Sequence, residues 1–393
     1  MTTGVVASEV LPAGWPAALN PDALRVIDLS TPYLVTDLGT VTDRLGQFTA
    51  ALRGVTTFYA MKCNPAPEVI RVLAAGGANF EVASIGELRL LRALGVDPAE
   101  VLFSNPVKAP GHIAAAHREG VWRFSFDSPN ELAKIAEQAP GAAVYVRLRV
   151  DDTGSRFPLS RKFGTDAEDA YDLMLLARRL GLRPYGVTFH VGSQCTSVDA
   201  WRGAIRSAGT LMDRLRADGI VLEMLDLGGG FPARYSAGVP SIEELGAVIG
   251  AALADLPYRP ALIAAEPGRF LVAESAVMAA TIIGREMRGA ENWLFVEVSA
   301  YHGLMEAAQT PGGGDFPVWS SLAGHADAPT LPFTITGPSC DSSDTIGYGI
   351  ALPATLTVGD VLFFGATGAY TLAYASSFNG FPPPTPVFVG TGA

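Results

Sequence analysis

The sequence predicts an α/β chain with a (β/α)8 TIM barrel inserted in a mainly β second domain, β-sandwich or barrel-like in form. Three observations predict it. From about residue 55, short β-branched or aromatic runs alternate with amphipathic stretches, as parallel strands joined by crossover helices do. The runs number eight, the strand count of a closed barrel of this kind. Past about residue 273 the helical spacing stops, and apolar runs broken by Gly and Pro continue to the end.

In order, the segment 30–37 (STPYLVTD) is strand-like and is placed to join the second domain ahead of the barrel. Barrel strands are expected at 57–62, 79–84, 101–105, 123–128, 143–150, 184–191, 221–228 and 261–268. Between them, 67–75, 86–94, 131–137, 167–180, 200–217 and 241–256 carry apolar residues at three- and four-residue spacing and read as helices. The runs 276–283, 293–298, 332–336 and 361–364 read as strands of the β domain, and 311–314 and 382–386 as loops. The expected divisions are an amino-terminal arm and strand over 1–37, the barrel over 38–273 and the β domain over 274–393, with the first twenty residues loosely held.

The balance of 28 basic against 39 acidic residues gives a formal charge of -11, which repels phosphate backbones and anionic membrane surfaces. Neither nucleic acid nor membrane is an expected partner. Three cysteines in no metal-ligand spacing exclude a disulfide framework and a zinc site, and no metal is expected. Reduced thiols, no basic leader and no apolar run of membrane-spanning length point to the cytoplasm.

Reactive groups of such barrels lie at the carboxyl ends of the strands. There the sequence offers Lys62, Glu81 with Ser84, Asn105, Asp127, Arg147, His190 with Ser193, Gly228-Gly229-Gly230, and Glu266 with Arg269. Each alone has an ordinary structural explanation; the set does not. A lysine ending the first strand is a candidate Schiff-base former. The glycine triplet follows strand seven and Pro267-Gly268-Arg269 follows strand eight, the loops that commonly hold phosphate in this fold. Lysine plus phosphate site suggests pyridoxal 5′-phosphate, with Glu266 as the acidic partner of its pyridine nitrogen and His190 lying against the ring.

These motifs, together with Tyr59-Ala60-Met61-Lys62-Cys63-Asn64, Ser160-Arg161-Lys162-Phe163-Gly164, Glu266-Pro267-Gly268-Arg269, Gly337-Pro338-Ser339-Cys340-Asp341-Ser342 and Phe378-Asn379-Gly380-Phe381, resemble the barrel-type, alanine-racemase-like pyridoxal-phosphate decarboxylases of ornithine, lysine, arginine and diaminopimelate. Among these, the bacterial ornithine/lysine enzymes are the most similar. The resemblance spans about residues 32–381. It implies that Lys62 holds the cofactor covalently, that His190 stacks on the ring, that Glu266 meets the ring nitrogen and that Arg147 approaches the ring hydroxyl. Glu81 would also face the cofactor, and Ser193, Gly229, Gly230, Arg269 and Tyr370 would bind its phosphate. It further implies a homodimer with shared active sites, in which Cys340 of one subunit protonates the carbon left after decarboxylation in the other. Asp341, Tyr301 and Phe378 would contact substrate, and Lys162 and Asp344 would form an ion pair across the interface.

The expected activity is decarboxylation of L-ornithine or L-lysine to putrescine or cadaverine. One departure bears on the substrate. Where the family has an acidic residue for the distal ammonium, this chain has Gln309 or Thr310, with Glu306 and Asp315 the carboxylates that could stand in. A different or modified amino acid of specialised metabolism is therefore an alternative. A racemase, which would need a tyrosine base opposite the lysine, and a non-catalytic partner-binding homologue are less favoured, because Cys340 and the cofactor residues are all present.

Overall fold

The computed structural model describes residues 11, 14–16, 18–25 and 27–390. A closed barrel of eight parallel strands forms the first layer, in the spatial order β10-β11-β2-β3-β4-β5-β6-β8. In chain order, α1 (Pro21–Arg25) and β1 (Tyr33–Asp37) precede α2 (Leu38–Ala51). The barrel then runs β2 (Thr56–Ala60), α3 (Pro67–Ala75), β3 (Asn79–Val82), α4 (Ile85–Ala93), β4 (Val101–Phe103), α5 (Pro110–Arg118), β5 (Arg123–Phe126), α6 (Pro129–Gln138) and β6 (Ala143–Leu148). After a short ribbon strand, β7 (Ser155–Phe157), come α7 (Ala167–Arg179), β8 (Arg183–Phe189), β9 (Ser193–Cys195), α8 (Val198–Ala217), β10 (Met224–Asp226), α9 (Ile242–Ala254), β11 (Leu262–Ala265) and α10 (Arg269–Val272).

The helices start where the sequence supplies oxygen caps or proline. Asp37 accepts from the amides of Gly39 and Thr40 at 3.2 and 3.0 Å, Ser241 closes a capping box with Glu244, and Pro67, Pro110 and Pro129 open helices whose first amide needs no partner. The barrel interior is filled by Phe58, Leu102, Tyr145, Tyr185 and Met224, so it is a packed core that leaves only its carboxyl-end mouth for chemistry. All eight expected strands are present but end two or three residues early. Lys62 accordingly sits in a 3-10 turn, Met61–Cys63, just past β2 and not on the strand itself.

The second layer is a sheet of β12 (Ala276–Arg288), β13 (Glu291–Val296), β14 (Val318–Ser320), β15 (Thr330–Thr336), β16 (Thr345–Pro353) and β17 (Val361–Phe364), with the one-turn helix α11 (Met305–Ala308) after β13. β1 joins this sheet antiparallel to β12, so the barrel is inserted between pieces of it. The last strand, β18 (Thr385–Val389), pairs parallel with β1, which corrects the reading of 382–386 as loop throughout. Its Pro386 is tolerated because β18 is an edge strand, where a missing amide breaks no ladder on the open side.

The expected loose arm lies partly outside the described residues. Within them it is docked: Trp15, Leu19 and Leu24 are buried against Tyr33, Val277, Trp319 and Phe363. The three cysteines are free thiols. No helix among the described residues is long and apolar enough to cross a membrane.

Candidate active site

A cavity of about 520 Å³ opens at the carboxyl end of the barrel, lined by Lys62, Glu81, Ser104, Asn105, Arg147, Lys162, His190, Ser193, Glu266, Arg269, Glu306, Gln309, Tyr370 and Tyr374, among others. A narrow annex shares Lys62, His190, Ser193, Glu266, Arg269 and Tyr370 with it and adds Gly229 and Gly230. Ten residues expected to face the cofactor thus come together from six strand ends and the β domain. Ser84 and Asp127 do not. Ser84 caps α4 through the Glu87 amide, and Asp127 accepts from the Gly164 amide at 2.8 Å.

Lys62 is surrounded by protein yet reachable from the cavity, and its Nζ donates to Glu81 Oε1. Burial acts to lower the affinity of this amine for its proton, but the Glu81 charge foremost outweighs it, and the net shift is upward. The resting form is therefore an ammonium–carboxylate pair, with the amine aimed at the cavity.

His190 Nδ1 accepts from the Gly192 amide at 3.0 Å, which leaves any ring proton on Nε2. Burial, and after it the charges of Arg147 and Lys62, hold the imidazole well below its usual range, so it stays neutral. A neutral flat ring is what a stacking partner for a heteroaromatic cofactor requires. Arg147 lies over the Phe163 ring at 5.0 Å and lines the cavity, while its backbone is held by the β6–β8 ladder and by the Thr165 amide.

Glu266 accepts from Ser104, whose hydroxyl also lies 3.0 Å from Tyr145 Oη. Burial first, then the charges of Asp226 and Glu81, push its carboxyl well above the usual range. Asp226 is buried beside it, bonded by Thr188 at 2.7 Å and the Gly228 amide at 3.0 Å, and is pushed up to about 6 by burial. Two buried carboxyls in contact call for a cation, and a protonated pyridine nitrogen meets that need. Ser104, Thr188 and Asp226 were not singled out in the sequence, although one aspartate inside the apolar run 221–228 is a usable signal.

The Asp226 shift has a testable consequence. A carboxyl raised above its unfolded value, about 3.9, contributes stability that is complete below that value and is lost as pH rises through about 6. Melting of the ligand-free protein should therefore fall more steeply from pH 4 to pH 6 than that of Asp226→Asn, which keeps only the Glu266 share. Parallel melting profiles for the two proteins would show that Asp226 is ionised throughout.

The annex suits a phosphate. Its donors are Ser193, the Gly229 and Gly230 backbone, Tyr370 and Arg269, and the buried Arg269 Nε has no partner among the described residues. A Cβ on Gly229 would come within 2.8 Å of both His190 Nε2 and the Glu266 carbonyl, so only glycine leaves room there. Gly230, at φ +107°, holds a conformation that side chains rarely adopt.

Cys340, Asp341, Tyr301 and Phe378 form a second group outside the cavity. Tyr301 Oη donates to Asp341 at 2.7 Å and its ring lies 4.8 Å from that of Phe378, while the exposed Cys340 reaches Asn379 Oδ1 at 3.5 Å. Asp344, expected to pair with Lys162 across an interface, sits in the loop that carries Cys340. It is fully buried in its own protomer, where its carboxylate accepts from the amides of Ala300 at 2.9 Å and Ser339 at 3.2 Å. Those bonds fix the loop carrying Cys340. Lys162 lines the cavity, 4.8 Å above the Phe163 ring.

The barrel, the lysine–glutamate pair, the buried carboxyls and the phosphate-shaped annex define a pyridoxal-phosphate enzyme. Residues 38–273 match the family described as pyridoxal-dependent decarboxylase, pyridoxal binding domain. The chain is 35% identical to a lysine/ornithine decarboxylase of Selenomonas ruminantium over 90% of its own length and 88% of the relative's. It is 33% identical to antizyme inhibitor 2 of Xenopus laevis, over 89% and 79% of the two chains. The solved lysine/ornithine decarboxylase of Vibrio vulnificus complexed with putrescine superposes with a TM-score of 0.83 at 31% identity, covering 93% of this chain and 96% of that one. The chain belongs to the pyridoxal-dependent decarboxylase family: it is an amino-acid decarboxylase that uses pyridoxal 5′-phosphate.

Proposed function

We propose that the protein decarboxylates L-ornithine or L-lysine to the corresponding diamine, as a homodimer with shared active sites in the cytoplasm. The observation that carries this reading is the cavity that joins Lys62, Glu81, His190 and Glu266, and relatives named for lysine and ornithine support the substrate. When bound, pyridoxal 5′-phosphate supplies the electron sink that makes loss of a carboxylate from the α-carbon possible. Lys62 would hold it covalently, with Glu81 facing the cofactor beside it. His190 would cover one face of the ring and exclude water from it. Glu266, backed by Asp226, would hold the proton on the ring nitrogen, and Arg147 would approach the ring hydroxyl. Ser193, Gly229, Gly230, Arg269 and Tyr370 would bind the phosphate.

Cys340, Asp341, Tyr301 and Phe378 lie outside their own protomer's cavity, which supports their serving a partner's cavity. There Cys340 would deliver the proton that completes the product, and Asp341 would meet the distal amine.

Gln309 favours a second reading. It lines the cavity where the family pattern calls for a carboxylate, and a buried ammonium that loses one of two carboxylates binds more weakly by a few kcal/mol. A decarboxylase of a different or modified amino acid follows from that. Carbon dioxide release from L- and D-ornithine, lysine, arginine, diaminopimelate and several neutral amino acids, with the mass in solution measured alongside, separates the readings. Turnover of ornithine or lysine by a dimer supports the first. Silence on every diamino acid by a yellow, cofactor-loaded protein overturns it in favour of the second.

A further inference from the structure

Arg269 is 4% exposed, and both of its terminal nitrogens are taken. One donates to Tyr235 Oη at 2.6 Å and to Glu306 Oε2 at 2.7 Å; the other donates to Ser193 Oγ at 3.2 Å and to Glu306 Oε1 at 2.5 Å. This is the two-pronged, fork-to-fork geometry by which a guanidinium also grips a phosphate. The Glu306 side chain is only 13% exposed, so water screens the pair little. Glu306 comes from α11 of the β domain, whereas Arg269 opens α10 at the end of the barrel.

The other annex donors, Ser193, Tyr370 and the glycine amides, are neutral, and Lys62 is engaged by Glu81. Arg269 is therefore the cation left to face a dianionic phosphate, and Glu306 already cancels its charge. We infer that Glu306 is a positioning residue that limits cofactor retention: it competes with the cofactor phosphate for Arg269, so the phosphate is held less tightly than the annex geometry alone would allow. The inference rests on the assignment of Arg269 to the phosphate made above. Its consequence is an enzyme that exchanges its cofactor with the surrounding pool.

The test compares dissociation constants of pyridoxal 5′-phosphate and of pyridoxal, which lacks the phosphate, read from the visible absorbance of the bound form. The proteins are the full-length wild type, Glu306→Gln and Arg269→Met. Glutamine keeps the shape and one acceptor but removes the charge. Glu306→Gln should bind pyridoxal 5′-phosphate about tenfold tighter and pyridoxal within about twofold of wild type. Inorganic phosphate should likewise compete for the annex at lower concentration. Equal or weaker binding of pyridoxal 5′-phosphate overturns the inference. Arg269→Met distinguishes the two possible failures. If it loses the preference for the phosphorylated form while Glu306→Gln gains nothing, the inference alone fails. If it keeps the full preference, the assignment of Arg269 fails and takes the inference with it. Melting of the ligand-free variants checks the fold, and Glu306→Ser is read by the same criteria if the glutamine variant does not fold.

Discussion

Lys62→Ala should abolish both carbon dioxide release and the visible absorbance of bound cofactor, with turnover down by at least about 10³-fold. The loss is expected to be this large because the lysine carries two functions that no neighbour can assume. Its amine is that of the cavity lysine that also borders the annex, whereas Lys162, the other lysine lining the cavity, lies beside Phe163 on a different loop. It is also the cation that balances Glu81. Removing it leaves three carboxylates, Glu81, Glu266 and Asp226, in one buried neighbourhood, which should also raise the proton affinity of Glu266 further. Absorbance and carbon dioxide assays on the purified variant check both effects, and turnover within tenfold of wild type would show that the reaction does not depend on Lys62.

Glu266→Gln should reduce kcat by roughly 10²–10³-fold while leaving the cofactor bound. A carboxylate stabilises a protonated ring nitrogen through charge, and an amide of the same shape offers only a dipole. Ser104 and Tyr145 would still fix the orientation of the side chain, so the effect isolates charge from packing. Asp226 lies close enough to take over part of the role, which is why the expected loss is smaller than for Lys62. Steady-state rates beside cofactor titrations separate the two quantities. Equal losses in cofactor affinity and rate would mean that Glu266 holds the cofactor without tuning it.

Much of this was legible in the sequence for a physical reason. Barrel strands are buried on both faces and read as near-continuous apolar runs, so a polar residue where such a run ends, as at Lys62, His190 or Glu266, stands out. What the sequence obscured was polar chemistry inside or beside those runs. Ser104 and Asp226 act through neighbours brought in by the closure of the barrel, and no local spacing announces that. The strands β14, β16 and β18 were missed because edge and half-exposed strands mix Gly, Pro and polar residues. The bonds of Asp344 to the amides of Ala300 and Ser339 were likewise not legible, because they depend on how the loop folds back on itself.

The threading of β1 between β12 and β18 bears on how the chain folds. Val35 precedes the barrel, yet its ladder partners are Val277 and Val387, both beyond it in the chain. The barrel can close from sequential, short-range strand pairings, whereas the sheet needs contacts between segments far apart in sequence, which form more slowly. The finished sheet thereby ties the segment ahead of the barrel to the segment that follows it.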